Sequence, residues 1–272
     1  MPTKPKIFFD TSLCIDIARK IPADEWSKVS NRVFRKFRYF ISPLTVYELV
    51  AGLASADERH FIQNQEAIRA VYPTGPKTFL PLLRAFIPAQ LFRERVMVPP
   101  SIDTDFKLWV KVILKARSRK ELESGKLGIG IKGRKGFGIL LDGVNSQMRV
   151  IEDGFAGLLS FFRRTKAPTL TPDVWAKLIL DAMCKPNTRE NLHLVLDRLD
   201  AAYRFESRLW SFIEQSNYNF SKHRSELVDS HQLTYLCDSE MCFATSDKRL
   251  KKTVAESPQC ARILTYEELR QL

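Results

Sequence analysis

Residues 242–252 read CFATSDKRLKK: an apolar, strand-like run, a single carboxylate at Asp247, then Lys248, Arg249, Lys251 and Lys252. The same order opens the chain. KIFF, residues 6–9, stops at Asp10, Thr11 and Ser12, after which Leu13, Ile15, Ile17 and Ala18 suggest a helix. Both ends of the protein therefore read as strand, acid, cap, helix. Residues 39–41 form a second short apolar run, and Ser42-Pro43 signals the start of a helix over 44–54 with Glu48 in its middle. A helical stretch follows near 58–71, then a Pro-rich, loop-like segment over 73–88, and a third strand is predicted over 95–98 before Pro99 and Pro100. Toward the C-terminus the pattern predicts a helix over 227–236 carrying Asp229, a strand over 241–244, a helix from Lys248, a strand over 262–264 and a closing helix. This alternation predicts an α/β fold, a central mainly parallel sheet flanked by helices, with its ligand site beyond the carboxyl ends of the strands. Asp10 and Asp247 fall at such ends, and Glu48 and Asp229 sit one or two turns into helices that could also face this edge.

The chain's 272 residues and 44% hydrophobic content are enough for a sizeable core, in one large or two small domains. Its formal charge of +12 makes a polyanion such as nucleic acid a reasonable partner. Much of that excess is local. Residues 107–135 hold ten Lys or Arg against Glu121 and Glu123, a net of +8. Within this run GIGIKG, residues 128–133, has the spelling of a dinucleotide-binding turn but lacks the strand before it and the helix after it. It reads as a flexible basic loop, and Lys126, Lys132, Arg134 and Lys135 are its candidate phosphate contacts. From 154 to 218 the sequence is helical almost throughout. Its stripes, such as Trp175, Leu178 and Ile179, are assigned to packing.

The apolar run near the N-terminus is too short for a signal peptide, and no 18-residue apolar run follows, so the expectation is a cytoplasmic protein without a membrane partner. Five scattered cysteines without a C-x-x-C pair argue against a disulfide framework and a zinc site. The four histidines lack metal-binding helix spacing.

Taken singly, Asp10 and Asp247 could be helix caps, Glu48 a salt-bridged helix residue and Asp229 a surface acid. Each follows or interrupts apolar sequence, however, where a carboxylate is costly unless something positive compensates it. Four together would be compensated most naturally by a hard divalent cation, Mg²⁺ or Mn²⁺. In this order and these contexts, FFDTSLCIDIA with Asp10, SPLTVYELVAGL with Glu48, ELVDSHQLTYL with Asp229 and FATSDKRL with Asp247, the chain resembles the PIN-domain nucleases. The resemblance covers about residues 5–56 and 219–272.

The resemblance implies a three-layer PIN-like fold and a metal-dependent nuclease, usually an endoribonuclease. In it Asp10, Glu48, Asp229 and Asp247 hold Mg²⁺ or Mn²⁺, and a metal-activated water attacks the phosphodiester. It places Thr245 at the hydroxyl position of a T-x-D motif, where it orients Asp247 or a water. Asp16 and Asp238 are weaker candidates for the acidic set. Lys248 and Arg249 are read as reaching substrate phosphates, Lys251 and Lys252 as solvating the outer face. The expected organisation is a discontinuous core, 1–118 and 219–272, with a basic loop and helical insertion over 119–218. The expected partners are RNA, an antitoxin if the protein is a toxin-like family member, another protein, or a second copy of the chain. Two other classes stay open: a non-catalytic RNA-binding or protein-interaction module, and a nuclease acting on DNA.

Overall fold

A computed structural model describes residues 4–55, 58–71, 78–95, 110–124, 151–157, 170–215 and 224–272, with residues 142, 146, 149 and 160. Its centre is a five-stranded sheet in the order β3-β2-β1-β4-β5, formed by β1 (Lys6–Phe9), β2 (Arg38–Ile41), β3 (Thr78–Phe79), β4 (Met241–Thr245) and β5 (Ile263–Thr265). Every pairing is parallel. β1 pairs with β4 over its whole length, from Lys6 opposite Met241 to Phe9 opposite Ala244.

Successive side chains on a strand point to opposite faces, and β1 shows what covers each face. Phe8 stacks on Phe243 at 4.9 Å and meets Tyr235 edge-on at 5.4 Å. Tyr235, from the 3₁₀ turn Thr234–Cys237, meets Phe86 of the helix Leu83–Phe92 at 4.9 Å. Phe9 instead packs on Trp26 of the helix Ala23–Lys36 and on Tyr39 of β2. Both faces are covered, so Ile7, Phe8 and Phe9 run on as three consecutive buried apolar residues, as befits a parallel strand buried on two sides. Helices thus flank the sheet.

The remaining helices follow from local signals. We number those used below α1 (Thr11–Arg19), α2 (Ala23–Lys36), α3 (Pro43–Ser55), α4 (Glu58–Val71), α5 (Leu83–Phe92), α6 (Arg119–Glu123), α7 (Pro172–Ala182), α8 (Arg189–Arg198), α9 (Asp200–Gln215), α10 (Arg224–Leu233), α11 (Lys248–Thr253) and α12 (Tyr266–Arg270). Asp10, Ser118, Thr171, Thr188, Asp247 and Thr265 cap α1, α6, α7, α8, α11 and α12 through their side chains.

Three expectations need correction. The third strand of the sheet is Thr78–Phe79, bonded alongside Phe40 and Ile41, not 95–98. Arg95 has no regular structure, and 96–98 lie outside the described residues. Part of the Pro-rich stretch read as loop is α5, with Pro88 inside it. A two-residue strand carries no period to detect, and a proline in a helix counts against it locally while packing against Tyr235 holds it in place. The predicted helix 227–236 starts earlier, at Arg224, and tightens into 3₁₀ geometry from Thr234.

α8 and α9 are bonded into the C-terminal segment. Gln259 accepts from Ala201 N at 2.9 Å and donates to Asp197 O at 2.7 Å, and Arg204 pairs with Glu256 at 2.8 Å. Among the described residues no helix is long and apolar enough to cross a membrane, and all five cysteines are free thiols.

Candidate active site

In the order β3-β2-β1-β4-β5 the connections run one way from β1 and the other way from β4, so a crevice opens between the carboxyl ends of these two strands. Asp10 leaves β1 and Asp247 follows β4 at that crevice. The Asp10 N–H donates to Ala244 O at 2.9 Å, which extends the β1–β4 ladder by one step and sets Asp10 beside Thr245.

Asp10 is 2% exposed, and neutral donors hold it on every side. Leu13 N donates to Oδ1 at 2.7 Å, while Ser12 Oγ and Thr245 Oγ1 donate to Oδ2 at 2.8 and 2.6 Å. Each hydroxyl also accepts from the segment after β4: Ser12 Oγ from Ser246 N at 3.1 Å, and Thr245 Oγ1 from Asp247 N at 2.9 Å. The two hydroxyls therefore clasp the turn that carries Asp247 to the carboxylate of Asp10. Asp247 caps α11 through Oδ1, which receives Arg249 N and Leu250 N at 2.7 and 3.2 Å. Both acids are indeed caps, and the cap of Asp247 uses one of its two oxygens.

Glu48 and Asp229 come from helices. Glu48 Oε2 accepts the hydroxyl of Thr11, the first residue of α1. Among the described residues no hydrogen bond engages Glu48 Oε1, Asp247 Oδ2 or either oxygen of Asp229. Beneath them runs a buried brace. Gln232 Nε2 donates to Thr45 Oγ1 at 3.3 Å, and Thr45 Oγ1 donates to Phe9 O at 2.8 Å. Thr45 stands one turn before Glu48, Gln232 one turn after Asp229, and Phe9 directly before Asp10. The brace thus joins the three backbones that present these acids. Among the described residues Ser42 Oγ and Gln232 Oε1 are buried without a hydrogen-bond partner.

The electrostatics bind the four acids into one group. Burial pushes Asp10 up to about 6, against the three hydrogen bonds that hold it down and with the charge of Asp247 adding to the rise. Burial pushes Glu48 up to about 8, opposed by the Thr11 hydroxyl and assisted by Asp10. Asp229 is held well above the usual carboxylate range, first by burial, then by the charges of Glu48, Asp10, Asp247 and Glu226. Among the described residues no Lys or Arg pairs with any of the four. Nor, among them, do any three His, Cys, Asp or Glu side chains close up tightly enough to hold a metal ion.

The weaker candidates fall elsewhere. Asp16 pairs with Lys20 at 2.7 Å, one turn along α1. Asp238 pairs with Lys6 at 2.6 Å, at the amino end of β1 and so on the opposite edge of the sheet. Of the cations, Lys248 is paired with Glu267 at 2.9 Å and Lys251 with Glu268 at 2.6 Å, whereas Arg249 and Lys252 are exposed. Lys126, Lys132, Arg134, Lys135 and the GIGIKG stretch lie outside the described residues.

Sequence reading passed over Thr11 and Ser12 as ordinary capping residues and did not single out Thr45 or Gln232. A signal existed for Thr45, a polar residue in the apolar helix α3 one turn before Glu48, whereas Gln232 stands in the mostly polar α10 and offered only its spacing of one turn from Asp229. No protein-family model, no characterised protein and no solved structure matches the chain.

Proposed function

We propose that the protein is a metal-dependent endoribonuclease with a PIN-like fold, in which Asp10, Glu48, Asp229 and Asp247 hold Mg²⁺ or Mn²⁺ at the crevice between β1 and β4. One observation carries this reading: of four carboxylates from four separate chain segments, Asp10, Glu48 and Asp229 have their proton affinity raised by burial and by the charges of other members of the set, Asp247 among them, with no cation among the described residues to offset them. Repulsion of this kind is what a hard divalent ion relieves. The donor set fits such an ion in type, since it is all carboxylate oxygen and the oxygens of Glu48, Asp229 and Asp247 without hydrogen bonds are those a cation would take. Among the described residues the acids stand further apart than a closed ligand sphere, so a bound ion would have to draw them inward.

Each residue has a task in this reading. Asp10, held through both oxygens, supplies the fixed carboxylate. Ser12 and Thr245 keep it oriented and tie it to the backbones of Ser246 and Asp247 respectively. Glu48 and Asp229 each present an oxygen without a hydrogen bond, with Thr11 steering Glu48. A bound Mg²⁺ or Mn²⁺ supplies an activated water and offsets charge on the phosphodiester. Arg249, exposed at the start of α11, is placed to meet a substrate phosphate. RNA rather than DNA rests on the resemblance of the motifs, and the +8 run over 107–135 suits either polyanion. An intracellular toxin neutralised by an antitoxin belongs to the same reading.

Incubating structured RNA, single-stranded DNA and duplex DNA with the protein and Mn²⁺, beside an Asp10→Asn variant, tests it. RNA should be cut by the native protein alone, and equal cleavage by both would remove the assignment. Among the described residues no three ligands are closely set, which favours a second reading, a non-catalytic RNA-binding or protein-interaction module. That module would bind RNA equally well in EDTA, and Mn²⁺ would leave its melting temperature unchanged.

A further inference from the structure

A second concavity, unrelated to the acids, lies between the helical segment 151–157, α7, α9 and α10. Its volume is about 350 Å³, at the lower end of the range in which proteins hold small molecules. Phe155, Trp175, Leu178 and Trp210 are among its lining residues, and the charged or titratable side chains that line it are Glu206 and His231.

Those two groups restrict what the cavity accepts. Both carboxylate oxygens of Glu206 are already occupied, Oε2 by the indole N–H of Trp175 at 2.6 Å and Oε1 by the hydroxyl of Ser230. Glu206 therefore braces the wall and has little to offer an incoming cation. His231 Nδ1 lies 2.9 Å from Leu227 O. A carbonyl only accepts, so Nδ1 carries the hydrogen, and in the neutral ring Nε2 is left as an acceptor. Among the described residues Nε2 has no hydrogen-bond partner. An aromatic wall with one acceptor and no available charge penalises an ion, which would lose its hydration uncompensated. It favours a flat, apolar molecule with one N–H or O–H.

We propose that this cavity is a binding site for an uncharged, ring-containing apolar molecule of two or three fused or linked rings, whose single hydrogen-bond donor is received by His231 Nε2. The site is independent of the nuclease reading. His231 lies two positions from Asp229 on α10, and residues so spaced do not share a helix face.

The test uses N-phenyl-1-naphthylamine, a neutral polycyclic dye with one N–H, against the full-length protein. Its emission should rise and shift to the blue in a saturable, one-to-one titration, with energy transfer from tryptophan. Gly154 provides the blocking variant. It lines the cavity, and a Cβ placed on it meets nothing within 4 Å. Gly154→Leu therefore fills the space without a backbone clash, in a helix that gains from losing glycine. It should weaken dye binding about tenfold or more while the melting temperature holds or rises. His231→Phe should keep the apolar wall and weaken binding about fivefold, the loss of one hydrogen bond. The sulfonated analogue, 1-anilinonaphthalene-8-sulfonate, should bind at least tenfold more weakly than the neutral dye. Non-saturable binding, native affinity in Gly154→Leu, or equal affinity for the charged dye would each overturn the proposal.

Discussion

Strand β1 has a buried aspartate at each end, and the two are treated in opposite ways. Asp238, 5% exposed, sits at the amino end against the ammonium of Lys6 at 2.6 Å. Arg262 fastens the surrounding turn by donating to the carbonyls of Leu236, Asp238 and Met241. Burial pulls the Lys6 ammonium down, but its bonds to Asp238 and Glu240 outweigh that and leave it raised. Asp10, at the carboxyl end, is equally buried but receives only hydroxyls and a backbone amide, and burial lifts it to about 6. A shift of that size corresponds to about 3 kcal/mol set against its ionised form. One acid is satisfied by its own chain. The other is held in place at a cost, which suits a ligand site and serves no purpose in a structural pair.

The largest expected effect breaks this comparison at its functional end. Asp10→Asn keeps the shape and most of the hydrogen bonds but loses the charge, and RNA cleavage in Mn²⁺ should fall by about 100-fold or more. Asp238→Asn should leave the cleavage rate per folded molecule unchanged. The structural end breaks differently. Lys6→Met strands Asp238 without its cation and should lower stability by about 2 kcal/mol in urea unfolding, discounted because Lys6 keeps some contact with water.

The acids with raised proton affinity also set a pH dependence. The native state holds protons on Asp10 and Glu48 that the unfolded chain releases near its ordinary values of 3.8 and 4.5. Their stabilising contribution is therefore complete below about pH 4 and disappears as pH rises through about 6 and about 8. Without metal, the melting temperature should fall between pH 5 and pH 8.5, and Glu48→Gln should flatten the upper part of that fall. Mn²⁺ should reverse the loss most strongly at pH 8.5, where the carboxylates are free of protons, and much less in Asp229→Asn.

A finer test concerns the brace below the acids. Gln232→Leu removes the bond to Thr45 but also the unsatisfied Oε1, so its stability should change by no more than about 1 kcal/mol. Its apparent affinity for Mn²⁺, read from the melting shift, should nevertheless fall several-fold as α3 and α10 lose their common anchor. The smallest effect is expected at the rim. The Lys248–Glu267 pair is exposed, and Lys248→Ala should alter stability by less than about 0.5 kcal/mol. The double variant Lys248→Ala, Arg249→Ala should weaken RNA binding and reduce its dependence on salt.

Several features of the site were legible in advance because they are local. Asp10 and Asp247 each follow an apolar run and precede a helix, and the chemistry of an acid in that position can be read from a dozen residues. Choosing Asp229 over Asp238 was possible on placement alone, since one falls inside a helix and the other beyond it. The choice agrees with the ion pair that engages Asp238 on the far edge. Thr78–Phe79 was not legible, because two residues carry no periodicity and their strand character arises only from pairing with Phe40 and Ile41. Ser12 looked like a second capping residue. Its reach to the segment after Thr245, more than 230 positions away, exists only once β1 and β4 lie side by side.

The sequence by itself determined the alternation of strand and helix, the basic balance, and the order in which four acids punctuate apolar runs, since these depend on neighbours within a turn or a strand. The tertiary structure alone decided which strand completes the sheet, that the acids share one electrostatic environment, and which buried carboxylate keeps a cation. Burial and charge compensation are properties of contacts between distant segments, and no local pattern encodes them.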